Sequence, residues 1–308
     1  MNKIDNKVFI LCQDPTPYET LLSQAECEDL TLTDKPDEAN ILLADPPLAA
    51  KRLSEFTQLE WLQSTFAGID ALIDESLNQD YELTKVHGIF GQQISEYVIG
   101  NTLNYFRHLP RYRHQQRQQE WQPHPYQSLN EKSILILGCG SIGSHLAKVC
   151  NAFGMKTGGV NQSGIPPKNS PFKHIFHIHE LDVVVKDADI IVNTLPSTPE
   201  TRGMLNMKLL NQANHALLFN VGRGDALVEE DLLTAMEQGH IAHAYLDVFN
   251  QEPLSAEHPL WKHPKVSITP HIAATSFPNQ VMEIFVENYK RWHDGFQLQH
   301  RVDFNKGY

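Results

Sequence analysis

SILILGCGSIG, residues 133–143, joins an unbroken apolar run to three glycines spaced as GxGxxG. An apolar run without alternation is what a central parallel strand needs when both its faces are buried. The glycines answer three separate demands: Gly138 permits a tight turn, Gly140 lets backbone approach a pyrophosphate, and Gly143 lets the next helix lie close to the strand. A lone GxGxxG recurs by chance. Here a strand ends at Leu137 and a helix opens at about Ser141, so a dinucleotide-binding turn is favoured over an ordinary glycine-rich loop. Ser141 and Ile142 open that helix, whose N-terminus offers N–H groups and a partial positive charge to phosphate. Cys139, inside the turn, reads as a small residue that fits there.

Outward from this stretch the chain keeps alternating strands and helices, the pattern of parallel sheets with crossover helices. Strands are expected upstream at 7–12, 41–44 and 59–62, and downstream at 158–161, 190–194, 217–221, 244–247 and 266–268. Helical composition marks 19–27 and 48–56. Ile99, Leu103, Phe106 and Leu109 share one face of a helix starting near Ile94, which Pro110 should kink or interrupt. The polar stretch after Pro110 reads as a solvated helix face rather than an arm on a second subunit. Near the end, Val281, Ile284, Phe285, Tyr289 and Trp292 share another helical face. The expected fold is α/β, with two doubly wound parallel-sheet, Rossmann-like domains and a cleft between them. Residues 1–98 and 99–274 would form the two units, the second carrying the dinucleotide turn.

Composition removes other classes. The chain has 308 residues, 41% hydrophobic and 20% charged, enough to bury a core. Its formal charge of −12 disfavours nucleic acid and anionic membrane as partners. No apolar run approaches a membrane span, and MNKIDNKVFILC leads straight into a strand-like run, so no signal peptide is expected. Four cysteines without CxxC spacing fit reduced thiols in a cytoplasm. His174, His177 and His179 lack a Cys or carboxylate set at ligand spacing, and no metal is expected.

An NAD-binding sheet should place an acid at the end of its second strand, about 20 residues after the glycines, to hold the ribose 2′-hydroxyl. This chain has Asn161, Gln162 and Ser163 there. These side chains could donate to a 2′-phosphate that a carboxylate would repel, so NADP(H) is favoured and NAD(H) is possible. No arginine lies nearby, and Lys168 is the nearest downstream cation. Further on come Asn193-Thr194-Leu195-Pro196, then Val221-Gly222-Arg223-Gly224-Asp225, Asp247-Val248-Phe249-Asn250-Gln251-Glu252-Pro253, and Thr269-Pro270-His271-Ile272-Ala273. Arg223, Glu252 and His271 each fall just beyond an expected strand. In a doubly wound sheet ligands lie past the carboxyl ends of strands, so the three can converge.

Taken in this order, the motifs resemble those of the D-2-hydroxyacid dehydrogenase family, in particular its glyoxylate/hydroxypyruvate reductase branch. The resemblance is densest from Gly138 to Ala274. Residues 64–70 resemble the family's substrate-carboxylate loop and 93–97 the start of its interdomain helix, and the resemblance implies that the terminal helix returns to the first unit, so that 1–98 plus 275–308 form the substrate domain and 99–274 the dinucleotide-binding domain. The missing acid after the second nucleotide-domain strand departs from the NAD pattern. The resemblance implies a hydride transfer from NAD(P)H to a small 2-keto acid. His271 would donate a proton to the forming alkoxide, and Glu252 would orient the imidazole and favour its charged form. Arg223 would hold the carboxylate and polarise the keto oxygen. Backbone N–H groups of Ala67 and Gly68 would take the carboxylate's other side. Leu195, Pro196, Val221, Gly222, Arg223, Asp247 and Ala273 would line the cofactor, with Asp247 at the nicotinamide carboxamide. The resemblance also implies a homodimer formed through the nucleotide-binding domain. Two other readings keep the fold: a nucleotide-sensing interaction protein, against which the intact Arg, Glu and His and the short stretch after Asp294 speak, and a dehydrogenase for a different D-2-hydroxy acid.

Overall fold

A computed structural model describes residues 5–304. The chain divides into two compact units, Met1–Ile89 with Ser276–Tyr308, and Phe90–Thr275. The discontinuous first unit carries strands β1 (Asn6–Leu11), β2 (Leu30–Leu32), β3 (Ile41–Ala44), β4 (Trp61–Ser64) and β5 (Glu82–Thr84). All pair in parallel, in the order β2-β1-β3-β4-β5. Its helices are α1 (Thr16–Gln24), α2 (Pro46–Arg52) and, last in the chain, α9 (Pro278–His293).

The second unit contains α3 (Phe90–Phe106), α4 (Leu109–Gln118), β6 (Ser133–Leu137), α5 (Ser141–Ala152), β7 (Lys156–Asn161), β8 (His174–His177), α6 (Leu181–Val184), β9 (Ile190–Asn193), α7 (Met207–Leu210), β10 (Ala216–Asn220), α8 (Glu229–Glu237), β11 (Ile241–Leu246) and β12 (Val266–Ile268). Its seven parallel strands run in the order β12-β11-β10-β9-β6-β7-β8. The sheet therefore reverses direction of growth between β6 and β9, the switch point where ligands bind doubly wound sheets.

Strand composition explains the layers. Ile134 and Ile136 of β6 bury into one core, with Ile190, Val192, Leu217 and Phe219. Leu135 and Leu137 bury into the opposite core, with Ile191 and Leu218. Period-two alternation between two apolar layers is what makes the run continuously hydrophobic.

Three short strands escaped the sequence reading for physical reasons. β2 and β5 are three residues long and β8 carries a histidine at each end, so none presents a long apolar run. The expected kink at Pro110 is corrected too. The helix ends at Phe106, His108 takes a left-handed φ of 54°, and Pro110 sits in the first turn of α4. There its missing N–H costs nothing and its fixed φ suits the helix. Leu109, expected on the buried face, is exposed because the helix has already turned away.

The terminal helix lies in the first unit. Phe285 stacks on Trp61 at 5.2 Å between ring centroids and Trp292 stacks on the same indole at 5.9 Å. The Trp61 indole N–H donates to Thr84 Oγ1 at 2.8 Å, so the buried ring leaves no orphaned donor. Among the described residues, no helix is long and apolar enough to cross a membrane.

Candidate active site

The glycine turn comes first because it orders the rest. Gly138 adopts a left-handed φ of 104°, and a Cβ there would lie 2.6 Å from Thr194 Oγ1. A Cβ on Gly143 would lie 2.0 Å from the Gly138 carbonyl oxygen, a clash that only glycine avoids. At Gly140, by contrast, an added Cβ meets no atom within 4 Å. The protein leaves open space where a phosphate would approach, and no side chain caps the N-terminus of α5. Ser141, Ile142 and Gly143 thus present the first turn of that helix to the opening, and the residues present fit a dinucleotide pyrophosphate. Cys139 faces inward instead: a Cβ on Gly159 would come within 2.7 Å of its Sγ. Burial pushes its thiol up to about 11, so the turn holds a thiol, not a thiolate.

At the end of β7, Asn161 closes its own turn. Its Oδ1 accepts from Ser163 N at 3.2 Å and Gly164 N at 2.6 Å, and its Nδ2 donates to the Ile165 carbonyl at 2.8 Å. Asn161 is therefore spent on loop geometry, while Gln162 and Ser163 are exposed.

Two neighbouring strands end in asparagine, and sequence reasoning gave these residues no role. Asn193 Nδ2 donates to Asn220 Oδ1 at 2.9 Å, Asn193 Oδ1 accepts from Leu195 N, and Asn220 Nδ2 donates to the Arg223 carbonyl. Both asparagines are fully buried. An unpaired buried amide would cost about 1–3 kcal/mol, so the pair locks the turn holding Leu195 and Pro196 to the turn holding Val221, Gly222 and Arg223. The signal was available: a polar residue closing an otherwise wholly apolar strand, twice. Gly222 and Gly224 are required by closeness, since a Cβ would meet the Leu195 oxygen at 2.6 Å and the Phe249 carbonyl carbon at 1.9 Å respectively.

His271 stands on the loop after β12 with a left-handed φ of 55°. Asp247, buried at the end of β11, holds that loop. Its Oδ1 accepts from Thr269 Oγ1 at 2.6 Å and Ile272 N at 2.9 Å, its Oδ2 accepts from Ala273 N at 3.0 Å, and its carbonyl accepts from His271 N. The carboxylate expected at a nicotinamide carboxamide thus has a positioning duty that its sequence neighbourhood did not disclose.

His271 Nδ1 lies 2.8 Å from Glu252 Oε2, and the other Glu252 oxygen accepts from Phe249 N at 2.9 Å. A carboxylate accepts, so Nδ1 carries hydrogen. Nε2 has no protein partner among the described residues. The hydrogen bond to Glu252 holds the imidazole above its ordinary value, with the carboxylate's charge adding to it, against the opposing pull of burial and of Arg223. Burial alone would raise Glu252, but the hydrogen bonds from His271 and Phe249 N–H, with the charges of His271 and Arg223, leave it below the usual carboxylate range. Arg223 acts on both partners, so its guanidinium charge is felt at the pair; its Nη1 donates to the Gly222 carbonyl at 2.8 Å. The second unit thus carries Arg223, Glu252 and His271 on the loops that follow β10, β11 and β12. Ala67 and Gly68 follow β4 in the first unit. Among the described residues no group of three His, Cys, Asp or Glu side chains could hold a metal ion.

Such an arrangement can bind an anion, donate a proton from Nε2 and polarise a carbonyl. Comparison with known proteins agrees. Residues 99–273 match the family model described as D-isomer specific 2-hydroxyacid dehydrogenase, NAD binding domain. The glyoxylate/hydroxypyruvate reductase A of Yersinia enterocolitica is 35% identical over 276 residues, covering 87% of each chain. The solved structure of a D-isomer specific 2-hydroxyacid dehydrogenase family protein from Aeromonas salmonicida superposes with a TM-score of 0.93 at 44% identity, covering 97% of this chain and 99% of that one. An NADPH-dependent glyoxylate/hydroxypyruvate reductase from Sinorhizobium meliloti, solved with NADP and sulfate, superposes at a TM-score of 0.86 with 26% identity, covering 98% of this chain and 100% of that one. With a nucleotide turn, an imidazole–carboxylate pair and an arginine on one doubly wound sheet, the chain belongs to the D-isomer specific 2-hydroxyacid dehydrogenase family.

Proposed function

We propose that this chain reduces small 2-keto acids of the glyoxylate and hydroxypyruvate type to 2-hydroxy acids, with NADP(H) favoured and NAD(H) possible. The observation that carries the reading is the His271–Glu252 pair within the influence of Arg223, with Nε2 open. Bound reduced nicotinamide supplies the hydride. Residues of this chain do the remainder. Arg223 holds the substrate carboxylate and stabilises charge gathering on the keto oxygen. His271 delivers its Nε2 proton to that oxygen as it becomes an alkoxide. Glu252 keeps the imidazole protonated and correctly turned, while Asp247 fixes the loop it stands on. Ala67 and Gly68 N–H groups are assigned to the carboxylate's second side. Leu195, Pro196, Val221, Gly222, Asp247 and Ala273 are assigned to the cofactor, with Gln162 and Ser163 toward its 2′-phosphate. The relatives from Yersinia enterocolitica and Sinorhizobium meliloti bear reductase names, which supports this substrate class over longer hydroxy acids. The presence of Arg223, Glu252 and His271 together supports catalysis over a nucleotide sensor.

The test is initial rates of reduced-nicotinamide oxidation with glyoxylate, hydroxypyruvate, pyruvate and a phenyl-substituted keto acid, using NADPH and NADH in parallel. Fast NADPH oxidation with the two smallest oxygenated acids is expected. Turnover of none of them, with cofactor still bound, would contradict the reading.

The same reading carries a cytoplasmic homodimer built through the second unit. Supporting it, α4 and the segment after it are largely exposed, with Trp121 99% exposed, and a groove of about 630 Å³ lined by Tyr105, Arg111, His243 and Tyr245 lies beside them. Sedimentation at micromolar concentration should give a dimer; a monomer would contradict it.

A further inference from the structure

One corner of the second sheet carries polar groups that the reaction does not use. β7 and β8 end side by side, with Asn161 in register with His177. The Asn161 turn brings Gly164, at a φ of 66°, so close to β8 that a Cβ there would lie 3.2 Å from the His177 Cβ. His177 Nδ1 accepts from His179 N at 3.1 Å. An accepting Nδ1 bears no hydrogen, which leaves the ring hydrogen on Nε2. That Nε2–H has no partner among the described residues. The exposed His179 ring lies 4.7 Å from the His177 ring and makes no hydrogen bond of its own among the described residues. Gln162 and Ser163 are exposed on the adjoining turn. The acid of the segment, Glu180, is turned onto the His177 backbone N–H at 2.8 Å. Donors thus stand on the neighbouring ends of β7 and β8, at the carboxyl edge where the adenosine ribose of a dinucleotide is held. No arginine occurs between Arg117 and Arg202 to do this work.

We propose that His177 and His179 complete the 2′-phosphate subsite of NADP(H), supplying from the end of β8 the donors that the β7 turn lacks. The inference rests on the NADP(H) reading above and names the residues that set the choice between the two nicotinamide cofactors. His177 contributes its Nε2–H, His179 a ring N–H, Gln162 its exposed amide, and Ser163 a hydroxyl that would turn from Asn161 Oδ1, to which it donates at 3.4 Å.

The experiment is titration calorimetry on the full chain with 2′,5′-ADP and with 5′-AMP, two adenosine fragments that differ in the 2′-phosphate. Variants are His177→Asn, whose amide oxygen can still accept the His179 N–H, His179→Ala, and Lys168→Ala as the alternative cation. Each histidine variant should weaken 2′,5′-ADP by about tenfold, the scale of one hydrogen bond to a charged group, and leave 5′-AMP within about twofold. The proposal is overturned if the histidine variants bind 2′,5′-ADP like the parent, if they lose both fragments equally, or if only Lys168→Ala carries the loss. A parent protein that binds the two fragments equally would overturn the NADP(H) reading itself, which is a different outcome from a parent preference that the histidine variants leave intact.

Discussion

His271 is one of 16 histidines, and its environment sets it apart. Hydrogen bonding to Glu252 raises its proton affinity, while burial and the Arg223 charge lower it. Reduction consumes the proton, so kcat/KM should be level below the raised His271 value and fall as pH climbs through it. Glu252→Gln removes the leading upward influence and leaves both downward ones. The falling limb should therefore move toward lower pH, read in a pH–rate profile. An unmoved limb would mean that another group delivers the proton. Arg223, Glu252 and His271 were legible in the sequence as candidates because each sits in a short motif just after an apolar run. Asp247 was legible only as a motif member. Its real partners, Thr269, Ile272 and Ala273, are more than twenty residues downstream, and only the parallel pairing of β11 with β12 brings them within reach.

At the scale of elements, the β6–turn–α5 unit is the most sequence-determined part of the molecule. Gly143 is fixed by contacts within the unit, above all the 2.0 Å that would separate its Cβ from the Gly138 oxygen, while Gly138 is held by its left-handed φ and by Thr194 beyond the unit. Gly143→Ala must push the helix away from the turn, an overpacking cost of about 1–3 kcal/mol. NADPH affinity, followed by nucleotide fluorescence, should fall about tenfold or more with the fold retained; unchanged affinity would separate the turn from cofactor binding. By contrast α9 could be recognised as amphipathic but its partner could not be read locally. It meets Trp61 from more than two hundred residues away, through Phe285 and Trp292. Phe285→Ala opens a void against that indole and should cost about 3–5 kcal/mol in urea unfolding. A cost below about 1 kcal/mol would mean that the terminal helix is not part of the first unit's core. The α3–α4 break was misplaced in the sequence reading because proline was given the interruption that a left-handed His108 makes.

For the whole molecule, a chain with a formal charge of −12 handles an anionic cofactor and an anionic substrate. Local geometry must outweigh the global field: the open N-terminus of α5 and the guanidinium of Arg223 are fixed positive features on the carboxyl edge of the second sheet. Two units could be drawn from alternation, because each is a run of strands and crossover helices, whereas the return of the last helix to the first unit rested partly on the family resemblance. Short polar strands such as β8 were not legible, because pairing with β7 rather than hydrophobicity makes them strands. The proposed reaction turns on His271 giving up the proton that accompanies hydride transfer. Stopped-flow single turnover of NADPH with glyoxylate, comparing the parent with His271→Ala, tests it most directly. The expected rate is about 10²–10⁴-fold lower, with NADPH affinity retained. A His271→Ala enzyme that turns over at the parent rate would contradict it.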